Sequence, residues 1–413
     1  MISQPGPVDF TYDPFDAQVM ANPLPYYRIL RDYYPAYYMP QWDTFALSRF
    51  EDIWRVLEIN DGTFVASEGT LPAASVLAQH NTGPVDDPPL HPLPFHAVFD
   101  ADLYGEIRRA HSQPLRPRAL AGMESRIRTL VNERLDLLLP QGSFDLTQDY
   151  GGIVVASIVC ELLGIPTDLA PQVLAAVNAG SLAEPGVGVD TAEARPNYFE
   201  YLVPAVQRRR ADPSGGPLGG LPIVDGLLGY RLPDGSALDD VEVATQMLCI
   251  FIGGTETVPK IVAHGLWELS QRPDQLAAVR ADAAANVPIA REEMIRYCAP
   301  AQWFARTARK PFNIHGQTIE PGQRVITLLA SANRDEREYP EPDEFIWNRP
   351  IQRSLAFGRG QHFCIGYHLA RLEVAVLVQE WLRRVPDYTI RGDAATRLPS
   401  SFLWGWNKIP VEV

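Results

Sequence analysis

Phe357-Gly358-Arg359-Gly360-Gln361-His362-Phe363-Cys364-Ile365-Gly366 is the stretch around which the chain is organised. From Gly366 the sequence continues YHLARLEVAVLVQEWLRR, with Leu369, Leu372, Val376 and Leu377 at helical spacing. Cys364 therefore stands where a glycine-rich loop turns into a helix. A thiolate there faces free backbone N–H groups and the positive end of a helix dipole, and both lower a thiol pKa. The glycines let the backbone pass close to something large and flat. A cysteine presented in this way can be the axial ligand of a haem iron. The competing reading is a buried structural thiol, and it fits Cys160, Cys249 and Cys298.

Composition narrows the field. The chain has 413 residues, 46% hydrophobic and 21% charged, which is ordinary for a globular protein. No Gly/Ser linker, charge block or internal repeat divides it, so one domain over residues 1–413 is expected. The net charge of −14 argues against general nucleic-acid binding. The N-terminus MISQPGPVDFTYDPFD has neither a basic region nor an apolar run, and no segment reads as a membrane span. Four widely spaced cysteines make no disulfide framework, which fits a cytoplasmic setting.

A second stretch bears on chemistry. Asp239-Asp240-Val241-Glu242 reads as a capped helix start, and the helix should run to about Gln271 before Pro273. At 1.5 Å per residue it would span about 50 Å, enough to cross the protein. Its middle, Gly253-Gly254-Thr255-Glu256-Thr257-Val258-Pro259, is poor in helix formers. Pro259 cannot donate to the carbonyl of Thr255, so a distorted groove is expected there, with a hydroxyl and a carboxylate beside it.

The cysteine stretch resembles, without a mismatch, the haem-binding loop of the cytochrome P-450 superfamily, Phe-Gly-x-Gly-x-His-x-Cys-x-Gly. The resemblance extends along the chain. It implies a mainly α fold with small β-sheets, and haem b held by an axial thiolate from Cys364 between the long central helix and the cysteine-loop helix. Residues 253–257 are similar to the oxygen-activation motif, with Thr257 as the hydroxyl that meets O2 and Glu256 as the proton source. Tyr104 to Arg108 aligns with the family's His-x-x-x-Arg, which gives Arg108 a haem propionate; Tyr104 departs from the usual histidine. Arg306 and His362 are implied as further propionate contacts, and Phe357, Gly358 and Gly254 as neighbours of the cofactor. Glu293, Arg296 and Arg349 are implied as a buried network behind the haem, structural in role.

By the same resemblance the proline-rich residues 66–103 roof the substrate pocket, and Leu93 and Phe95 are candidate lining residues. Gly253, Trp303, Phe304, Phe402, Leu403 and Trp404 fall in the other substrate-contact segments, which suggests a narrow aromatic wall. Glu184–Gly188 interrupts the helices expected to form a mobile lid. The activity implied is hydroxylation or epoxidation of a small apolar molecule, such as a branched lipid or terpenoid, by a monomer. No Gly-x-Gly-x-x-Gly fingerprint is visible, so electrons should come from a separate iron–sulfur ferredoxin and its reductase. A peroxide-driven or non-oxygenating haem-thiolate enzyme is the main alternative, and Glu256 and Thr257 weigh against it. A haem-thiolate sensor is a weaker one, since no output domain is visible.

Overall fold

A computed structural model describes residues 7, 9–70, 73–78, 92–93, 95, 100–182, 197–212 and 222–413; of residues 101–104 and 222 only the backbone is described. The fold is mainly helical with small sheets. Its axis is the central helix Asp240–Ser270, opened by a full capping box between Asp239 and Glu242. Against it pack the helices Ile153–Leu163, Phe199–Ala211 and Tyr367–Arg384. Burial of their apolar faces builds one large helical core, including Val155, Phe251, Val262 and Leu377.

The second core lies under a five-stranded sheet, with strands in the order Ala36–Met39, Thr44–Leu47, Arg324–Leu328, Trp303–Ala308, Phe64–Val65. Thr44–Leu47 pairs in parallel with Arg324–Leu328, and the other pairings are antiparallel. A parallel partner so distant in sequence cannot be reached by a local turn.

Two expectations change here. The central helix runs unbroken through Pro259, while the hydroxyls of Thr255 and Thr257 donate back to the carbonyls of Phe251 and Gly253, at 2.6 and 3.0 Å. In place of a break there is open space at Gly253, whose Cβ position has no atom of another element within 4 Å. Secondly, Leu146–Leu163 is long and apolar enough to cross a membrane. It is 83% buried inside the protein, and it begins with a π-helical turn at Leu146–Gly152. Gly151 lets that turn lie on Pro259: a Cβ there would be 3.1 Å from the proline Cα.

Candidate active site

The cysteine loop is held from both sides. The Cys364 N–H donates to the Phe357 carbonyl at 2.9 Å, and Arg108 donates to the Phe363 carbonyl. Gly358 and Gly360 have φ of 68° and 71°, the left-handed region that glycine enters without strain. Any side chain at Gly360 would also run into the Leu57 carbonyl. The helix then begins at Tyr367, so the thiol lies just ahead of its N-terminus. Phe357 is half-buried, with the Arg371 guanidinium 4.9 Å above its ring.

The sequence pointed to a lowered thiol pKa, and this is corrected. Burial pushes the Cys364 thiol up; the Gly366 N–H, Arg108 and Arg371 oppose it without winning. The dipole is where the sequence put it, but the enclosure came from distant parts of the chain.

Around the loop three donors gather. Burial lowers the pKa of His362, Asp100 raises it, and Arg306 and Arg108 lie close enough to lower it again. Arg306, on the strand Trp303–Ala308, donates to the Thr70 hydroxyl at 2.7 Å. Asp100 is buried against its charge, but His362 and the N–H groups of Ala66 and Ser67 hold it down at about 2. Sequence reasoning had no signal for Asp100, whose partners lie far away along the chain. Tyr104 belongs to the same helix as Arg108, Ala101–Ser112, but its side chain is outside the described residues.

On the central helix Thr245, Leu248, Cys249, Ile252, Gly253 and Thr257 recur every three or four residues and stay accessible between buried flanks. They form one face, and it is uncharged. Cys249 lies on it: burial, with Cys364 adding, pushes its thiol up to about 12. Glu256 is placed differently from the sequence expectation. It is buried on the flank that meets the helix Ala170–Ser181, where its carboxylate accepts from Lys260 at 3.0 Å and from Ser181. Gly254 is corrected too: its Cβ position points at Val159, 3.1 Å away, so it serves the packing of helix on helix.

The aromatic wall is smaller than expected. Phe304 and Phe402 are half-buried and meet edge to face at 5.4 Å. Trp303 is fully buried in the sheet core against Phe15, its indole N–H on the Ser401 carbonyl at 2.9 Å. Neighbouring residues on a strand face opposite ways, so Trp303 and Phe304 cannot both line one pocket. Trp404 is likewise buried, against His264, Arg334 and Arg397. Leu403 is buried and bridged to Ala301. Phe95 is half-buried, whereas Leu93 is buried with its N–H on Glu242 at 2.9 Å. Glu242 lies eleven residues, about 16 Å, from Gly253 along the helix, so Leu93 packs near the start of the central helix.

Behind the loop, Glu293, Arg296 and Arg349 meet. Arg296 holds both carboxylate oxygens of Glu293, at 2.7 and 2.8 Å, and Arg349 adds a third contact at 3.2 Å.

These residues fit a haem. A half-buried thiol stands in a glycine loop, Gly253 and Gly358 leave their Cβ positions open, and three side chains with nitrogen donors suited to carboxylates lie close to one another. The comparisons agree. The cytochrome P450 family profile matches residues 187–385. Putative cytochrome P450 123 of Mycobacterium tuberculosis is 29% identical over 99% of this chain and 98% of its own length. Cytochrome P450 130 of the same species is 30% identical over 91% of each chain. The solved structure of cytochrome P450 CYP109Q5 from Chondromyces apiculatus superposes with a TM-score of 0.79 at 27% identity, covering 97% of both chains. Loop, central helix and full-length likeness together make this chain a member of the cytochrome P450 family, a haem-thiolate monooxygenase.

Proposed function

We propose that the chain inserts one oxygen atom of O2 into a small apolar molecule, with Cys364 as the axial ligand and Arg108, Arg306 and His362 holding the haem propionates. When bound, the haem supplies the oxygen activation; the protein supplies position, dryness and protons. The Thr257 hydroxyl, on the accessible face, would donate a hydrogen bond to the oxygen substrate, and Glu256 would supply its proton. Glu293, Arg296 and Arg349 would keep the ground behind the loop rigid. We take residues 1–413 as one domain, acting as a monomer in the cytoplasm. Four free cysteines fit a reducing compartment.

The observation that carries the substrate class is the uncharged face of the central helix together with the Phe304–Phe402 pair. A charged ligand would be desolvated there without a partner, at a cost of several kcal/mol. A panel of compounds scored by the shift in haem spin state should therefore respond to apolar molecules. If only charged compounds shift the spectrum, the assignment is wrong.

Electrons would come from an acidic ferredoxin docking on the cysteine-loop side. Arg109, Arg116 and Arg118 are exposed, on and just after the helix that carries Arg108. Arg359 contributes less than its place in the loop suggested, since Glu58 neutralises it at 2.6 Å. A local basic patch on a protein of net charge −14 would orient an acidic partner and speed encounter at low salt. First-electron transfer should slow as ionic strength rises, and slow several-fold in Arg109→Glu at low salt. Rates indifferent to both would place the docking face elsewhere.

A further inference from the structure

Gln302 lies one residue ahead of the strand that carries Phe304, and it is buried. Its backbone N–H donates to the Phe402 carbonyl at 2.8 Å. Its side-chain amide donates to the carbonyls of Ser400 and Ser401, at 3.2 and 3.1 Å. The Ser400 hydroxyl accepts from the N–H groups of Phe402 and Leu403, at 3.2 and 3.1 Å, which closes the turn on itself. One residue thus grips the turn that presents Phe402. The amide oxygen of Gln302 accepts in turn from the Tyr27 hydroxyl at 2.7 Å. Tyr27 is buried on the helix Leu24–Tyr33, 275 residues away along the chain. Burial pushes its phenol up, so it stays a donor at any working pH. The two ends of an amide are alike in size and opposite in polarity. Turned over, the amide of Gln302 would set its oxygen against two carbonyl oxygens, and the Tyr27 hydroxyl favours the orientation that avoids this.

We propose that Gln302 and Tyr27 are positioning residues for substrate selection: the amide of Gln302, oriented by the Tyr27 hydroxyl, sets where the Phe402 ring stands in the aromatic wall. This rests on the reading above that Phe304 and Phe402 line the site. The two wall residues are held in different ways. Phe304 is part of the sheet, paired with Thr327, whose hydroxyl donates to its carbonyl at 3.0 Å. Phe402 lies outside any strand, between Thr396–Arg397 and Trp406–Lys408, and only the isolated bridge of Ala301 to Leu403 runs beside it. Its place therefore depends on the side-chain bonds of Gln302 and Ser400. The rings meet at 5.4 Å and 70°, an edge-to-face contact that holds only over a narrow range of distance and angle. Loosening the turn would change the shape of the wall while leaving the sheet, the cysteine loop and the central helix as they are.

The test uses the haem-loaded protein and two ligands that reach iron through the same kind of nitrogen, imidazole and 4-phenylimidazole. The ratio of their dissociation constants, read from the Soret shift, isolates what a phenyl group gains from the wall. The native chain should prefer 4-phenylimidazole. That preference should fall several-fold in Gln302→Leu and in Tyr27→Phe, with imidazole affinity unchanged. Gln302→Leu/Tyr27→Phe should fall no further than Gln302→Leu, because the hydroxyl acts only through the amide. Tyr27→Phe removes a single oxygen atom and carries the test alone if Gln302→Leu does not fold. Variants that melt earlier yet keep the native preference overturn the proposal, as does a loss shared equally by both ligands. Phe402→Ala separates the two levels. If it leaves the preference unchanged, the aromatic-wall reading itself fails; if it lowers the preference while Gln302→Leu and Tyr27→Phe do not, only the positioning inference fails.

Discussion

Cys364→His should abolish the strongly red-shifted Soret band of the reduced, carbon-monoxide-bound protein, and lower turnover by more than about 100-fold, the loss typical of merely disturbing groups around a metal ligand. The expectation follows from the loop. Its backbone is fixed by the bond from the Cys364 N–H to the Phe357 carbonyl and by Arg108 on the Phe363 carbonyl. Neither involves the thiol, so the substitution exchanges the donor while leaving its setting in place. What is lost is a negative sulfur and the electron density it gives to the iron. An imidazole is neutral as a ligand and longer than a thiol, and no glycine at 358 or 360 changes that. Far-ultraviolet circular dichroism should be unaltered, which separates loss of ligand from loss of fold. A variant that keeps the red-shifted band would move the iron to another residue.

Much of this site was legible because its chemistry is local. The glycine–cysteine loop, the capping box at Asp239 and the stretch from Gly253 to Thr257 are each written in a few consecutive residues, and the structure places each on the element expected. Where the sequence misled, a distant partner decided the outcome. Glu256 was implied as a proton source, and nothing nearby in the chain announces Ser181 or the burial of Lys260 one turn on. The resemblance puts Trp303 and Phe304 in one substrate-contact segment, yet strand alternation sends one into the sheet core. Gly254 looked like a second gap beside the cofactor, and only the packing of Val159 shows which way its missing side chain would point. The thiol of Cys364 shows the same division: dipole from the local sequence, burial from everywhere else.

Arg296→Leu should cost more stability than any other single change at this site, because Arg296 satisfies more than one element at once. Its guanidinium holds both oxygens of Glu293, at 2.7 and 2.8 Å, and donates to the carbonyls of Asn333 and Pro342, at 2.7 and 3.0 Å. Both side chains are wholly sealed from water. Removing the cation leaves a buried carboxylate with Arg349 at 3.2 Å and the Ile346 N–H at 2.9 Å, too little for its charge. Breaking such a pair from one side costs about 3–5 kcal/mol, and orphaning each carbonyl adds about 1 kcal/mol or more. Against a total stability of about 5–15 kcal/mol, that is enough to unfold much of the population. Arg296→Lys should recover little, since one ammonium cannot reach two carboxylate oxygens and two carbonyls in a plane. The informative comparison is Glu293→Gln/Arg296→Met. It removes the stranded carboxylate, while Arg349 keeps the carbonyls of Pro340, Glu341 and Glu344, so it should be more stable than Arg296→Leu alone. Thermal unfolding followed by circular dichroism reads the ranking directly. If Arg296→Leu melts within a degree or two of the native chain, or the double variant is the worse of the two, the network is not what holds the Asn333–Arg349 segment behind the cysteine loop.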